Sequence, residues 1–207
     1  SLLLDSLQNK NMESIETTHF SIVDKFGNAV SNTYTINGGF GAKIVIDGAG
    51  FFMNNEMDDF SAKPGVPNMF NLVGGEANAI QPEKRMLSSM TPTIITRDNK
   101  LFMIIGSPGG PKIITTVLQA IVNVIDFGMN IREAIEAPRF HHQWSPDILY
   151  YETERGIDKE TLEKLISMGY ILKGVSSMGE AEGIVIGANG VIHGWADTRG
   201  GGCAAGY

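Results

Sequence analysis

The sequence has a single cysteine, Cys203, among its 207 residues. No disulfide can form within the chain, which excludes a disulfide-stapled scaffold and leaves the compartment open. No run of 18 apolar residues occurs, so no membrane-spanning helix is expected. Positive charge is scarce: 16 Lys and Arg stand against 23 Asp and Glu, a net charge of -7. That excludes the basic surface a nucleic-acid binder needs. At 43% hydrophobic and 19% charged residues the chain is not a disordered one either, and its length suffices for one substantial domain or two small ones. The first stretch, "SLLLDSLQNKN", lacks the basic region and the apolar core of a signal peptide. It also lacks an initiating methionine. We read it as a processed chain or a piece of a longer one, with any export signal upstream.

What is abundant is glycine, 25 residues in clusters such as "NGGFG", "VGG", "GSPGG" and "RGGG". No fixed period separates the clusters, so the chain is not a repeat protein. Each cluster is either a turn that needs positive φ or a place where backbone approaches a ligand.

Residues 1–16 show no periodic pattern and read as a tail or linker. Strands are expected at 18–23 and 29–35, joined by the hairpin chemistry of "DKFGN". Short strands are expected at 44–46 and 50–53. Residues 54–92 are rich in Asn, Asp, Gly, Pro and Met, and a loop that long is usually functional or mobile. Strands 93–97 and 101–106 pair across "DNK". Ile113, Ile114, Val117, Leu118, Ile121, Val122 and Ile125 then form a broad apolar helix face. A second helix starts at Asn130 with Glu133 completing a capping box and stops before Pro138. A third spans 158–168 and closes at Gly169. Strands return at 171–175, 182–187 and 190–196. The order of strands, helices and strands predicts a layered α+β domain with an antiparallel sheet.

Four segments carry chemistry. Thr17 and Thr18 are either β-branched residues that open a strand or a nucleophile. A threonine hydroxyl needs a base, and a threonine freed at the head of a chain carries one in its own α-amine. That requires scission of the bond before it, and the change from a nondescript leader to an abrupt strand fits such a cut. "GSPGG" leads into a long helix; it is a plain turn or a cradle for an anion, because Gly109 and Gly110 admit close approach to their N–H groups. Glu56, Asp58 and Asp59 are a solvated acidic loop or a site for a cation such as an amine; calcium-loop spacing is absent. Ser88 and Ser89 are turn hydroxyls or a carboxylate holder. His141 and His142 are adjacent and point different ways, which disfavours a paired metal site. No segment supports a Ser/His/Asp triad with His19.

Together and in this order, "TTHFSIVDKFGNAVS", "TYTIN", "NNEMDDFSAKPGVPN", "LVGGEANAI", "LSSMTPTI", "GSPGG" with "IITTVLQ", "APRFHHQW" and the terminal "AAGY" resemble the small catalytic subunit of gamma-glutamyltranspeptidase, an N-terminal-nucleophile hydrolase. The resemblance covers residues 17–207. It implies an αββα sandwich completed by a large subunit, the two arising when one precursor cleaves itself before the threonine, here at Glu16–Thr17. Residues 1–16 then resemble the tail of the large subunit. Thr17 becomes the nucleophile, Thr35 its orienting partner, and Gly109 and Gly110 the oxyanion hole. Asn37, Glu56 and Asp59 hold the α-amino group of a γ-glutamyl substrate, and Ser88 and Ser89 its α-carboxylate. The implied reaction moves the γ-glutamyl group of glutathione or a related compound to an amino acid or water, with no cofactor and no metal. The implied location is periplasmic or secreted. The stretch 64–75 resembles the lid loop of many bacterial members. "DTRGGG" departs from an Asp-Pro-Arg pattern, and "NGGFG" is richer in glycine than usual. The alternatives are a related acylase or poly-γ-glutamate transferase, and a non-catalytic orphan or uncleaved subunit.

Overall fold

The structure, a computed structural model, describes residues 17–207. The leader 1–16, and with it Glu16 of the expected scission, lies outside the described residues.

Strands β1 (Thr18–Val23) and β2 (Ala29–Tyr34) form an antiparallel hairpin, with Thr18 opposite Tyr34 and Val23 opposite Ala29. Its turn is tied by the Asp24 carboxylate, which accepts from the Phe26 and Asn28 N–H groups at 2.8 and 2.9 Å. This is the Asx-turn chemistry by which aspartate replaces a backbone acceptor. Strands β3 (Thr93–Arg97) and β4 (Lys100–Gly106) pair as expected. With β8 (Glu182–Ile186) and β9 (Ile192–Ala196) they make a four-stranded antiparallel sheet in the order β3-β4-β8-β9.

The hairpin lies across one face of this sheet. A side chain on Gly106 would overlap the His19 imidazole, so glycine is what lets the two layers close there. Ser21 and Ser31 donate across the layers to the carbonyls of Glu182 and Ile105 at 3.1 and 3.0 Å. His19 bonds Thr33 at 2.8 Å and Ser21 at 3.0 Å, and burial pulls its imidazole down to about 4. Helices α1 (Ile113–Ile125) and α2 (Ile131–Glu136) cover the opposite face. Met103 and Ile105 of β4 meet Val117, Ala120, Ile131 and Ile135 there, all buried. Truncating one of these isoleucines to alanine costs on the order of 2–5 kcal/mol. Asn130 and Glu133 form the expected capping box on α2, with both bonds at 3.0 Å. The layers are sheet, sheet and helix, the ββα part of an αββα sandwich.

Three expectations change. The segments 44–46 and 50–53 are not strands; a single Val45–Phe52 bridge joins them. The sheets are not wholly antiparallel. A third sheet, unforeseen because two of its strands are short, contains β5 (Phe140–His141), β6 (Leu149–Glu152) and β7 (Leu172–Val175). Its β6 and β7 run parallel, since α3 (Lys159–Ser167) carries the chain back to the same end between them. Finally, α1 buries only one stripe of its broad apolar face. Ile113, Val117, Ala120 and Val124 are buried, whereas Ile114, Leu118 and Ile125 are exposed.

The C-terminal half is locked by a buried ionic quartet. Arg139 meets Asp197 at 2.7 Å; Arg199 meets Asp197 at 3.0 Å and Glu152 at 2.6 Å. The carboxylates also accept from the N–H groups of Arg139, Met178 and Ala181. Thr198 sits beside it and donates through N–H and hydroxyl to Glu136 at 3.1 and 2.8 Å. A proline there could make neither bond, so the departure to "DTR" adds a tie between the quartet and α2.

Candidate active site

The head of β1 and the end of β2 bring two hydroxyls together. Thr17 is buried, and its Oγ1 lies 2.8 Å from Thr35 Oγ1. The Asn37 N–H donates to the same Thr35 oxygen at 2.9 Å. Asn37 is itself buried and held at φ 74. A non-glycine residue in the left-handed region stores strain that surrounding bonds must offset, and such residues concentrate at working sites. Here the Asn37 side-chain amide donates to the Asn55 carbonyl at 3.2 Å.

These residues line a cavity of about 300 Å³. Asp59, Ser88, Ser89 and Gly110 line it as well. Asp59 lies on a short 3-10 turn, Glu56–Asp59, that concentrates three carboxylates. Burial pushes the Asp59 carboxyl up; the Ser89 hydroxyl, donating at 3.2 Å, opposes that shift, and Asp58 adds to it. Burial, and then the charge of Asp59, likewise push Glu56 up. A partly desolvated negative cluster of this kind favours an ammonium group. Ser88 Oγ donates to the Met90 carbonyl at 3.2 Å.

Gly109 and Gly110 have φ of 138 and 54, positions that favour glycine. Gly109 caps the 3-10 turn Gly110–Lys112, which runs directly into α1. The turn is braced from behind by the fully buried Ser107, which accepts from the Glu180 N–H at 2.9 Å.

Of the nine site residues expected from sequence, the cavity brings together Thr17, Thr35, Asn37, Asp59, Ser88, Ser89 and Gly110. Glu56 and Gly109 are not among the residues that line it, although each adjoins one that does. The groups expected to hold an amine and those expected to hold a carboxylate are joined by the Ser89–Asp59 bond.

Sequence reasoning missed a further part of the lining. Thr115, His141 and Gln143 form a bonded row there, Thr115 Oγ1 to His141 Nδ1 at 2.9 Å and His141 Nε2 to Gln143 Oε1 at 2.9 Å. His142 lines the cavity too, with its Nε2 bonded to Asp147 at 2.8 Å. The 64–75 segment, expected to resemble a lid loop, brings Phe70 to the cavity over Gly110, a residue the sequence did not single out. The segment is a hairpin closed by a Pro67–Val73 bridge and by Asn68, whose side chain accepts from the Phe70 and Leu72 N–H groups.

Two stacked sheets with helices outside, and a threonine heading the first strand beside a glycine-rich turn, are the arrangement of the N-terminal-nucleophile hydrolase fold. The sequence profile of the family described as Gamma-glutamyltranspeptidase matches residues 4–207, and the chain belongs to that family. It is 54% identical over 187 residues to the glutathione hydrolase proenzyme of Escherichia coli, covering 90% of this chain and 32% of that protein. With the Pseudomonas aeruginosa glutathione hydrolase proenzyme it shares 51% identity over 84% of this chain and 31% of the relative. The chain therefore spans about a third of the length of these curated relatives. Among solved structures, a mutant gamma-glutamyltranspeptidase of Helicobacter pylori superposes with a TM-score of 0.84 at 53% identity, covering 88% of this chain and 100% of that one. The Pseudomonas nitroreducens gamma-glutamyltranspeptidase complexed with L-DON gives 0.85 at 47% identity, covering 92% and 99%.

Proposed function

We propose that this chain is the catalytic part of a gamma-glutamyltransferase and glutathione hydrolase. The observation that carries the reading is the Thr17–Thr35 hydroxyl pair, 2.8 Å apart, in the cavity that also holds Asp59, Ser89 and Gly110. Self-cleavage at Glu16–Thr17 frees the Thr17 α-amine, which titrates near neutrality and serves as the base. It takes the hydroxyl proton as Oγ1 attacks the γ-carbonyl carbon. Thr35 orients that oxygen. The N–H groups of Gly109 and Gly110 stabilise the negative oxygen that develops. The proton then passes to the leaving amine, and a γ-glutamyl ester remains on Thr17. Water or an amino acid then attacks the ester carbonyl and gives up a proton to the same amine, which passes it to Thr17 Oγ1 as the ester C–O bond breaks and the glutamyl group leaves.

Asp59 and Asn37 hold the substrate α-amino group, and Glu56 adds negative charge from beside Asp59. Ser88 and Ser89 hold the α-carboxylate. Apolar residues around the rest of the cavity, Phe70, Leu72, Leu87 and Ile114 among them, keep bulk water from the ester.

The remaining polypeptide is a large subunit cut from the same precursor. The family match begins at residue 4, upstream of Thr17, which supports residues 1–16 as the tail of that subunit. Two uncovered apolar faces also support it: Phe20, Ile22, Val30 and Tyr34 on the outer side of the hairpin, and Leu118 with Ile125 on α1. We place the enzyme in the periplasm or outside the cell; no helix among the described residues is long and apolar enough to cross a membrane.

The test is to express the full precursor and assay a γ-glutamyl anilide, with and without the Thr17→Ala change. Turnover and γ-glutamyl transfer to an added dipeptide, both lost in the variant, are the expected result. A variant that still turns over the anilide would overturn the assignment.

A further inference from the structure

We propose that Met69 is a positioning residue for the corner that receives the substrate amine; this rests on the reading of Asn37 given above. The Met69 sulfur accepts from two side-chain amides, Asn37 Nδ2 at 3.8 Å and Asn55 Nδ2 at 3.6 Å. Its methyl lies against Gly38, where a Cβ would approach to 3.1 Å. Its N–H donates to Asp58 Oδ2 at 3.1 Å, so the acidic turn holds the backbone of the same residue.

Met69 is 54% exposed, and burial does not account for a thioether at this place. What the sulfur does there is orient. An asparagine amide can sit either way round, and its nitrogen and oxygen present opposite chemistry to an ammonium. With Asn37 Nδ2 turned to the Asn55 carbonyl and to Met69, the side-chain oxygen is the end that can accept from an ammonium group. The second asparagine is fixed by the same device. Asn55 Nδ2 faces the sulfur, and Asn55 Oδ1 accepts from the Gly38 N–H at 2.8 Å. The hairpin 64–75 thus acts at both ends of the reaction centre from two adjacent residues, Met69 at Asn37 and Phe70 over Gly110.

The comparison is between Met69→Leu, which keeps the bulk and removes the acceptor, and Met69→Gln, whose side-chain oxygen restores one. Both are made in the full precursor and assayed with a γ-glutamyl anilide, with precursor cleavage followed alongside. Net hydrogen-bond energies translate to a rise in KM of about three- to tenfold for Met69→Leu, with kcat within about twofold, and a KM near wild type for Met69→Gln. A Met69→Leu KM equal to wild type, or a fall in kcat at constant KM, or no recovery in Met69→Gln, would overturn the proposal while leaving the wild-type activity intact. A wild-type protein inactive on the anilide would overturn both this inference and the functional reading beneath it.

Discussion

Residues 17–92 and residues 93–207 solve different problems. The later part holds most of the buried apolar core, the two longest helices and the ionic quartet. The earlier part contributes one pair of named strands, β1 and β2, and is otherwise built from short turns and isolated bridges held by side chains such as Asp24, Asn55, Asn68 and Asn78. Yet six of the seven expected residues that line the cavity come from it, and only Gly110 comes from the later part. On the proposed function, stability and chemistry are therefore carried by separate stretches, with the β4–α1 turn as the place where the scaffold reaches into the site. Irregular backbone suits the chemical half, because it can aim several carboxyl and hydroxyl groups at one point where strand or helix periodicity would spread them over different faces.

The largest effect is expected in the chemical half. Thr17→Ala should leave the full precursor uncut and abolish turnover with the fold intact, by mass and circular dichroism. Normal cleavage in that variant would break the comparison at its foundation. The scaffold half should show the reverse. Arg199→Ala leaves Glu152 and part of Asp197 buried without their partner, a loss of about 3–5 kcal/mol. A melting temperature within a degree of wild type would show that the quartet is not what holds this half. Asp59→Ala comes next: it removes the charge facing the substrate ammonium and should raise KM on the order of tenfold or more, with a smaller change in kcat. Because burial raises the Asp59 carboxyl, KM for the wild-type enzyme should also climb as pH falls through a range above that of an ordinary aspartate.

The smallest effect concerns Glu182, where hairpin and scaffold meet. Burial, together with Glu180 and Asp197, pushes its carboxyl up to about 8, and its Oε2 has no hydrogen-bond partner among the described residues. A folded-state value above the unfolded one means stability present below about pH 4.5 that is lost as pH rises through 8. Glu182→Gln should therefore raise the melting temperature at pH 9 by about 2–4 °C and change it less at pH 6. Equal shifts at both pH values would contradict a titrating Glu182.

The hairpin, β3 and β4, all three helices and the capping box were legible because each rests on local periodicity or on a cap within three residues. The parallel β6–β7 pair was not: β7 was expected at 171–175, but the four-residue β6 carries too little period to be read, and the pairing depends on a helical crossover. The apolar face of α1 was legible, but which half of it meets the sheet was not, since Thr116 and Ala120 pack inward while Leu118 remains outside. Seven of the nine expected site residues share one cavity because the resemblance joined segments far apart in sequence. The Thr115–His141–Gln143 row stayed hidden, since its three members span two elements and none is unusual alone. Arg139, Glu152, Asp197 and Arg199 are likewise ordinary charges until the fold buries them together.

The proposed chemistry turns on one peptide bond. The intact mass and N-terminal sequence of the mature protein, expressed from its full precursor, test it directly. A chain that begins at Thr17 is the predicted result and frees the amine that the mechanism uses as its base. An active protein in which Glu16 remains joined to Thr17 would contradict it, because the amine would then be tied up in an amide.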